Sequence, residues 1–243
     1  MRTPRIFHNQ ALMPASRVAL DENAARHVGK VLRLGIGASL RLFDGHGGEY
    51  TATIHEIGKR DVIVSVGEHT ALEVESPLKV TLAQGISKGE RMDFTLQKAV
   101  ELGVQRIVPL DTERSVVHLK GERREKKLEH WRGVIISACE QCGRNTLPEL
   151  LPIQSLECWL ETTTNQGVYL LLDHRAEGSL GNLNKCDTVT LLIGPEGGIS
   201  ESERSKAYAA GYTGLRLGPR VLRTETAALT ALAALQSHWG DLG

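Results

Sequence analysis

The chain has 243 residues, 41% of them hydrophobic, and its 29 Lys+Arg balance 29 Asp+Glu for a formal net charge of zero. That length suits one large domain or two smaller ones. The charge balance excludes recognition of a polyanion by bulk charge, so any nucleic-acid partner has to be met by a local basic patch.

Residues 1–72 read as β-rich. ASLRLFDGHGGEYTATIHEI holds two strand patterns around the turn Asp44-Gly45-His46-Gly47-Gly48, with Tyr50, Ala52, Ile54 and Glu56 on one face of the second. In DVIVSVGE, Val62, Val64 and Val66 alternate with Ile63 and Ser65. DENAARHVGKVLRL predicts a short helix capped by Asp21, with Ala24, Val28, Val31 and Leu32 on its buried side. Short strands with one helix suggest a small barrel.

EHTALEVESPLKV reads as a linker, and 73–243 as a second domain. From Leu78 the pattern alternates: strands at Leu78–Ala83, Arg106–Leu110, Val168–Asp173, Thr188–Ile193 and Gly214–Leu217, helices at Arg91–Leu102, Glu122–Cys142 and Thr224–His238. This alternation predicts an α/β domain with a largely parallel sheet, whose ligands sit beyond the carboxyl ends of strands. Two glycine loops fall at such ends. LLIGPEGGIS leaves a strand and enters a helix whose Ser200 and Glu203 fit a capping box. LRLGPRVLRTETA leads into the last helix, for which Thr224 is the expected cap. Neither loop has the P-loop or G-x-G-x-x-G spacing, and Glu196, Glu201 and Glu203 would repel a phosphate, so a neutral or cationic ligand fits better. Ala227–Leu235 is apolar all round except for Thr230. A helix without a polar face has to be buried on every side, which suggests a subunit interface.

Four cysteines and nine histidines are present. Cys139 and Cys142 form a C-x-x-C at the end of a helical pattern, not at the helix start a redox site needs, so unlinked thiols are expected. No H-E-x-x-H spacing occurs, and no metal is expected. No apolar run reaches membrane-spanning length. The opening MRTPRIFHNQ lacks the apolar core of a signal peptide, so a cytoplasmic location is expected.

LLIGPEGG followed by LGPRVLRTETA, together with SKGERMDFTLQKAVELGV and ACEQCGRN, resembles the RsmE family of 16S ribosomal RNA uracil-N3 methyltransferases, members of the knotted SPOUT superfamily. The resemblance runs the length of the chain. It implies a PUA-like β-barrel that helps bind RNA, then a SPOUT α/β domain with a C-terminal trefoil knot. It also implies S-adenosylmethionine as cofactor, a homodimer, and preference for the assembled 30S subunit over free RNA. Carried over by matching residues, Gly194, Pro195, Glu196 and Gly198 form one cofactor loop, and Leu217, Gly218, Leu222, Arg223 and Thr226 another. A third cofactor segment, which often has a proline in this family, is LLLDHRAE here; it contributes Leu172 and His174.

A sulfonium cation agrees with an acidic loop. Uracil N3 holds a proton at neutral pH, so a base or a stabiliser of the anion is required. N3 also lies on the Watson–Crick edge, so the target has to be unpaired or flipped out. Glu196, Arg144 and Asn145 are the expected catalytic residues, while Glu225 is a second carboxylate near the site. Glu196 and Glu225 have an equally good structural role, in helix capping or in a salt bridge with Arg223. Arg5, Arg33, Lys88, Arg91, Arg144 and Arg220 are the expected RNA contacts. The same loops would serve a SPOUT enzyme for another base or RNA; a third possibility is an RNA-binding protein without catalysis.

Overall fold

The structure, a computed structural model, describes residues 3–59, 61–162, 164 and 166–243. The chain divides after Glu75 into two compact units, with Cys139–Leu147 counted in the first.

The first unit is a five-stranded sheet, β1 (Arg5–Phe7), β2 (Arg17–Ala19), β3 (Ser39–Phe43), β4 (Glu49–Ile57) and β5 (Val62–Thr70), in the order β1-β3-β4-β5-β2. β1 runs parallel to β3 and the other pairs are antiparallel. Val62, Val64 and Val66 face the core with Ala52, Ile54, Leu40, Leu42 and Ile6, as period-2 alternation requires. Each fully buried aliphatic side chain here contributes about 1.5–3 kcal/mol. Two expectations shift. The β4–β5 register slips between Ile54 and Glu56, and such an irregularity turns the next side chain out, so Glu56 is exposed. Asp21 caps α1 (Glu22–Arg26) as expected, but a π-type turn follows over His27–Val31. The wider turn breaks the 3.6-residue period. Val28 is therefore buried while Val31 stays exposed.

The second unit is built on a parallel sheet in the order β12-β10-β11-β6-β7-β8, with β9 also paired to β7. Its strands are β6 (Lys79–Gly85), β7 (Arg106–Asp111), β8 (Glu149–Leu150), β9 (Gln154–Ser155), β10 (Val168–Leu172), β11 (Thr188–Ile193) and β12 (Thr213–Leu215). The helices are α2 (Glu90–Glu101), α3 (Glu122–Cys142), α4 (Leu156–Glu161), α5 (Glu201–Ala209) and α6 (Thr224–Trp239). Val189, Leu191, Leu192, Val80, Leu82 and Ile107 are fully buried, the signature of a sheet covered on both faces. Asp93 on α2 accepts a hydrogen bond from the Trp131 indole on α3 at 3.1 Å and another from His130 at 2.7 Å. The chain leaves β6 toward β7 and β8 on one side and later fills β11, β10 and β12 on the other. The ends of β6 and β11 therefore form the topological switch point, where such sheets bind ligands. Among the described residues, no helix is long and apolar enough to cross a membrane.

Candidate active site

The carboxyl ends of β10, β11 and β12 and the start of α6 enclose a cavity of about 460 Å³. Three close backbone approaches shape it. A Cβ on Gly85, at the end of β6, would lie 2.5 Å from the Pro195 nitrogen, and one on Gly194 would lie 2.8 Å from the Gly198 carbonyl carbon. A Cβ on Gly197 would meet Arg114 at 2.9 Å. The loop closes on itself through a 2.8 Å bond from the Gly198 N–H to the Pro195 carbonyl. Ser200 and Glu203 form the expected capping box, which fixes the direction of α5.

Gly198 and Gly218 differ from those glycines. Both have positive φ, 70° and 77°, and a Cβ on either would meet nothing within 4 Å. Both line the cavity, so this is a cradle a side chain would fill. Leu171, Leu172, Ile193, Ile199, Leu217 and Leu222 supply its apolar walls.

Most of the expected cofactor residues meet here: Leu172, His174, Gly194, Pro195, Glu196, Gly198, Leu217, Gly218, Leu222 and Arg223 all line the cavity. Thr226 does not. It points outward from α6 and is exposed. Thr224 lines the cavity instead, and its expected role as a cap is corrected. Arg223 is the N-cap residue and makes no side-chain cap bond. The buried Thr224 hydroxyl donates to the Gly194 carbonyl at 2.7 Å and accepts from Gln84 at 3.0 Å. A trefoil knot requires the C-terminal segment to return to the ends of β6 and β11, and this tie is in keeping with it.

Glu196 faces the cavity but is occupied. Its Oε1 accepts the Lys88 N–H and the Arg91 guanidinium, each at 2.9 Å. Burial works against its charge, but these donors and its own backbone N–H outweigh that and hold the carboxyl below the usual carboxylate range. Its ion-pair partner is Arg91 and not Arg223.

Of the expected RNA contacts, Arg91 and Arg220 line the cavity. Lys88 is exposed next to Glu196, and Arg33 is exposed in the first unit with φ of 52°. Arg5, Arg144 and Asn145 require correction. Arg144 is 3% exposed, and its guanidinium grips both oxygens of Glu75. Asn145 is fully buried, accepting from Arg5 at 2.7 Å and donating to the Leu72 carbonyl at 2.6 Å. Arg5 also pairs with Glu49. These side chains tie the first unit together, and Arg144 and Asn145 are buried in it. Their position after a helix end gave no sign of that burial.

Sequence reasoning missed Arg114, Asp173, Arg204 and Arg216, all of which line the cavity. Arg114 reaches from the segment after β7 and donates to the Gly197 carbonyl at 3.2 Å. Asp173 is 8% exposed; its Oδ2 takes Arg204 Nε at 2.9 Å and its Oδ1 takes the Arg175 N–H at 3.0 Å. That network braces the loop after β10. Its only sequence signal was the buried strand ending at Asp173.

Family descriptions match both parts of the chain. An RNA methyltransferase domain covers residues 74–236 and an RNA methyltransferase PUA domain covers residues 20–67. The ribosomal RNA small subunit methyltransferase E of Buchnera aphidicola from Schizaphis graminum is 36% identical over 99% of this chain and 98% of its own length. That of Bacillus subtilis is 29% identical over 93% and 92%. A crystal structure of the Neisseria gonorrhoeae ribosomal RNA small subunit methyltransferase E, bound to S-adenosylmethionine, superimposes with a TM-score of 0.96 at 41% identity, covering 100% of both chains.

Proposed function

Because the chain belongs to the RsmE family of ribosomal RNA small subunit methyltransferases, we propose that it methylates N3 of a uridine in the decoding region of 16S rRNA, preferring the assembled 30S subunit. S-adenosylmethionine would supply the methyl group from its sulfonium. The observation that carries this reading is the glycine cradle at Gly198 and Gly218, open beside apolar walls and free of any phosphate motif. Backbone groups of the two glycine loops, with Leu172, His174, Leu217 and Leu222, would hold the cofactor. Alignment of nucleophile with methyl group contributes much of the rate in such displacements.

The charge around the cavity supports an RNA partner. Arg114, Arg216, Arg220 and Arg223 line it and have no carboxylate partner among the described residues. The cofactor's single carboxylate would engage at most one of these four arginines, whereas RNA phosphates would engage the rest. A homodimer is part of the same proposal. α6 leaves Leu229 and Ala233 half-exposed and Thr230 exposed, and Phe94 on α2 is 45% exposed. Light scattering tests it, since a mass of 26.6 kDa would mean a monomer.

Mass mapping of methylated nucleotides in ribosomal RNA, with and without the protein, tests the activity. The expected product is a 3-methyluridine in 16S rRNA, made faster on 30S particles than on free transcript. Methylation of another base or another RNA would support a different SPOUT activity, and no methylation would leave an RNA-binding protein.

A further inference from the structure

Three carboxylates line the cavity: Asp173, Glu196 and Glu225. Two are committed. Asp173 is held by Arg204, by the Arg175 N–H and by the Tyr208 hydroxyl at 3.4 Å. Glu196 is held by Lys88 and Arg91. Glu225 is not. Its Oε2 is buried and accepts no hydrogen bond among the described residues, and Oε1 lies 4.0 Å from Arg91 Nε, too far for one. Buried carboxylate oxygens are normally satisfied, so an orphan at a cavity wall calls for a function.

Its backbone is fixed. Glu225 follows Thr224, which is tied to Gly194 and Gln84, so the carboxylate stands on a rigid helix start. The charged groups around it are Arg91 from α2, Glu196 from the loop after β11 and the neighbouring Arg223. Arg91 bonds Glu196 and stands between the two carboxylates. It hydrogen-bonds Glu196 and stands at the edge of ion-pair distance from Glu225, leaving that carboxylate without a donor.

We propose that Glu225 is the general base that removes the N3 proton of the target uridine, an inference that rests on the uridine-N3 reading above. The N3–H bond breaks and its electron pair forms the new N3–CH3 bond. The pair of the broken S–CH3 bond stays on sulfur, and the proton passes to the Glu225 carboxylate and then to water. Proton removal concerted with bond formation spares the free uracil anion as an intermediate. Glu225 lines the cavity in which the target ring would lie.

The test compares Glu225→Gln and Glu225→Asp with wild type, whose product is mapped first so that failure of the uridine-N3 reading shows on its own. Glu225→Gln keeps size and polarity but cannot take a proton. Its kcat on 30S particles is expected to fall by about 10²–10⁴. Its melting temperature, and its cofactor affinity by calorimetry, should stay within twofold or a degree or so of wild type. Glu225→Asp should recover part of the rate. The Gln defect should shrink at alkaline pH, and also on RNA carrying 5-fluorouridine, because in both cases the substrate loses its proton more readily. If cofactor affinity falls while saturated kcat holds, the carboxylate pairs with the cofactor's ammonium and the proposal is overturned. A defect insensitive to pH and to fluorination overturns it as well.

Discussion

The Thr224 hydroxyl donates a 2.7 Å hydrogen bond to the carbonyl of Gly194, thirty residues earlier in the chain. Gln84 completes the link, donating to Thr224 at 3.0 Å and reaching toward Gly194 at 3.5 Å. One buried hydroxyl thus joins the ends of β6 and β11 to the start of α6, and all three frame the cavity. Thr224→Val keeps the shape and deletes the bonds. A lost buried hydrogen bond costs about 1–2 kcal/mol, or roughly 2–8 °C in melting temperature for a chain of this size. Cofactor affinity should fall with it, because the GPEGG loop loses its anchor to the start of α6. Calorimetry and thermal melting check both; a variant that melts lower but binds normally would separate the tie from the site.

The two kinds of glycine make a paired prediction. At Gly194 an added Cβ would collide with the backbone of Gly198 and Ile199 at 2.8 and 2.9 Å. Gly194→Ala should therefore distort the loop and lower stability by several degrees. At Gly198 a side chain meets open space but has to adopt φ of 70°, a strain of about 1–2 kcal/mol. Gly198→Val should still fold, with cofactor binding abolished because the cradle is filled. Normal affinity in the folded Val variant would remove this loop from the site.

How far the sequence speaks depends on the residue. Thr188–Ile193 and Glu122–Cys142 are legible to the residue, because continuous burial and helical spacing leave few alternatives. The two glycine loops are legible as walls of the cavity because their glycines sit between a strand and a helix. Long-range polar pairing is not legible. Arg144 and Glu75 are 69 positions apart, and nothing local distinguishes an arginine gripping a buried carboxylate from one gripping a phosphate. Gln236 is similar: inside an apolar helix it is fully buried, accepting from Ser76 at 2.6 Å and donating to the Leu102 carbonyl at 3.0 Å.

Arg144→Ala accordingly tests stability. It leaves Glu75 without its guanidinium and removes the 3.0 Å and 2.5 Å bonds. Breaking a fully buried pair costs roughly 3–5 kcal/mol, and less here because Glu75 keeps some exposure. The first unit should unfold earlier in denaturant, and any loss of methylation should track the unfolded fraction. Normal stability with lost turnover would return Arg144 to the active site.

His8 predicts a pH effect in the same unit. It is 4% exposed, and neither ring nitrogen has a hydrogen-bond partner among the described residues. Burial depresses its pKa below the ordinary 6.5, against the opposing pull of Asp21 and Asp44. The unfolded chain therefore takes up the proton first, so stability is complete above 6.5 and declines as pH falls below it. His8→Leu should flatten that decline in melting temperature between about pH 7 and pH 5, measured against wild type in matched buffers. An unchanged slope would assign the acid sensitivity to other groups.

The arginine rim gives the last prediction. The chain has no net charge, so long-range attraction for RNA is weak and binding depends on a few placed cations. Arg114 and Arg220 line the cavity without carboxylate partners among the described residues, whereas Arg91 is paired with Glu196 at 2.9 Å. Arg220→Ala should raise KM for 30S particles by about tenfold, the scale of one charge-assisted contact. It should also lower the slope of log KM against log salt by about one ion, with cofactor affinity unchanged. Arg114→Ala should do the same and also loosen the cofactor site modestly, because its guanidinium donates to the Gly197 carbonyl. Arg91→Ala should behave differently, with a small effect on the salt slope and a larger one on turnover, since it frees Glu196 and unsettles Glu225. Steady-state kinetics at four or five salt concentrations separate the three variants. Equal salt slopes for Arg220→Ala and wild type would show that RNA phosphates are met elsewhere on the protein.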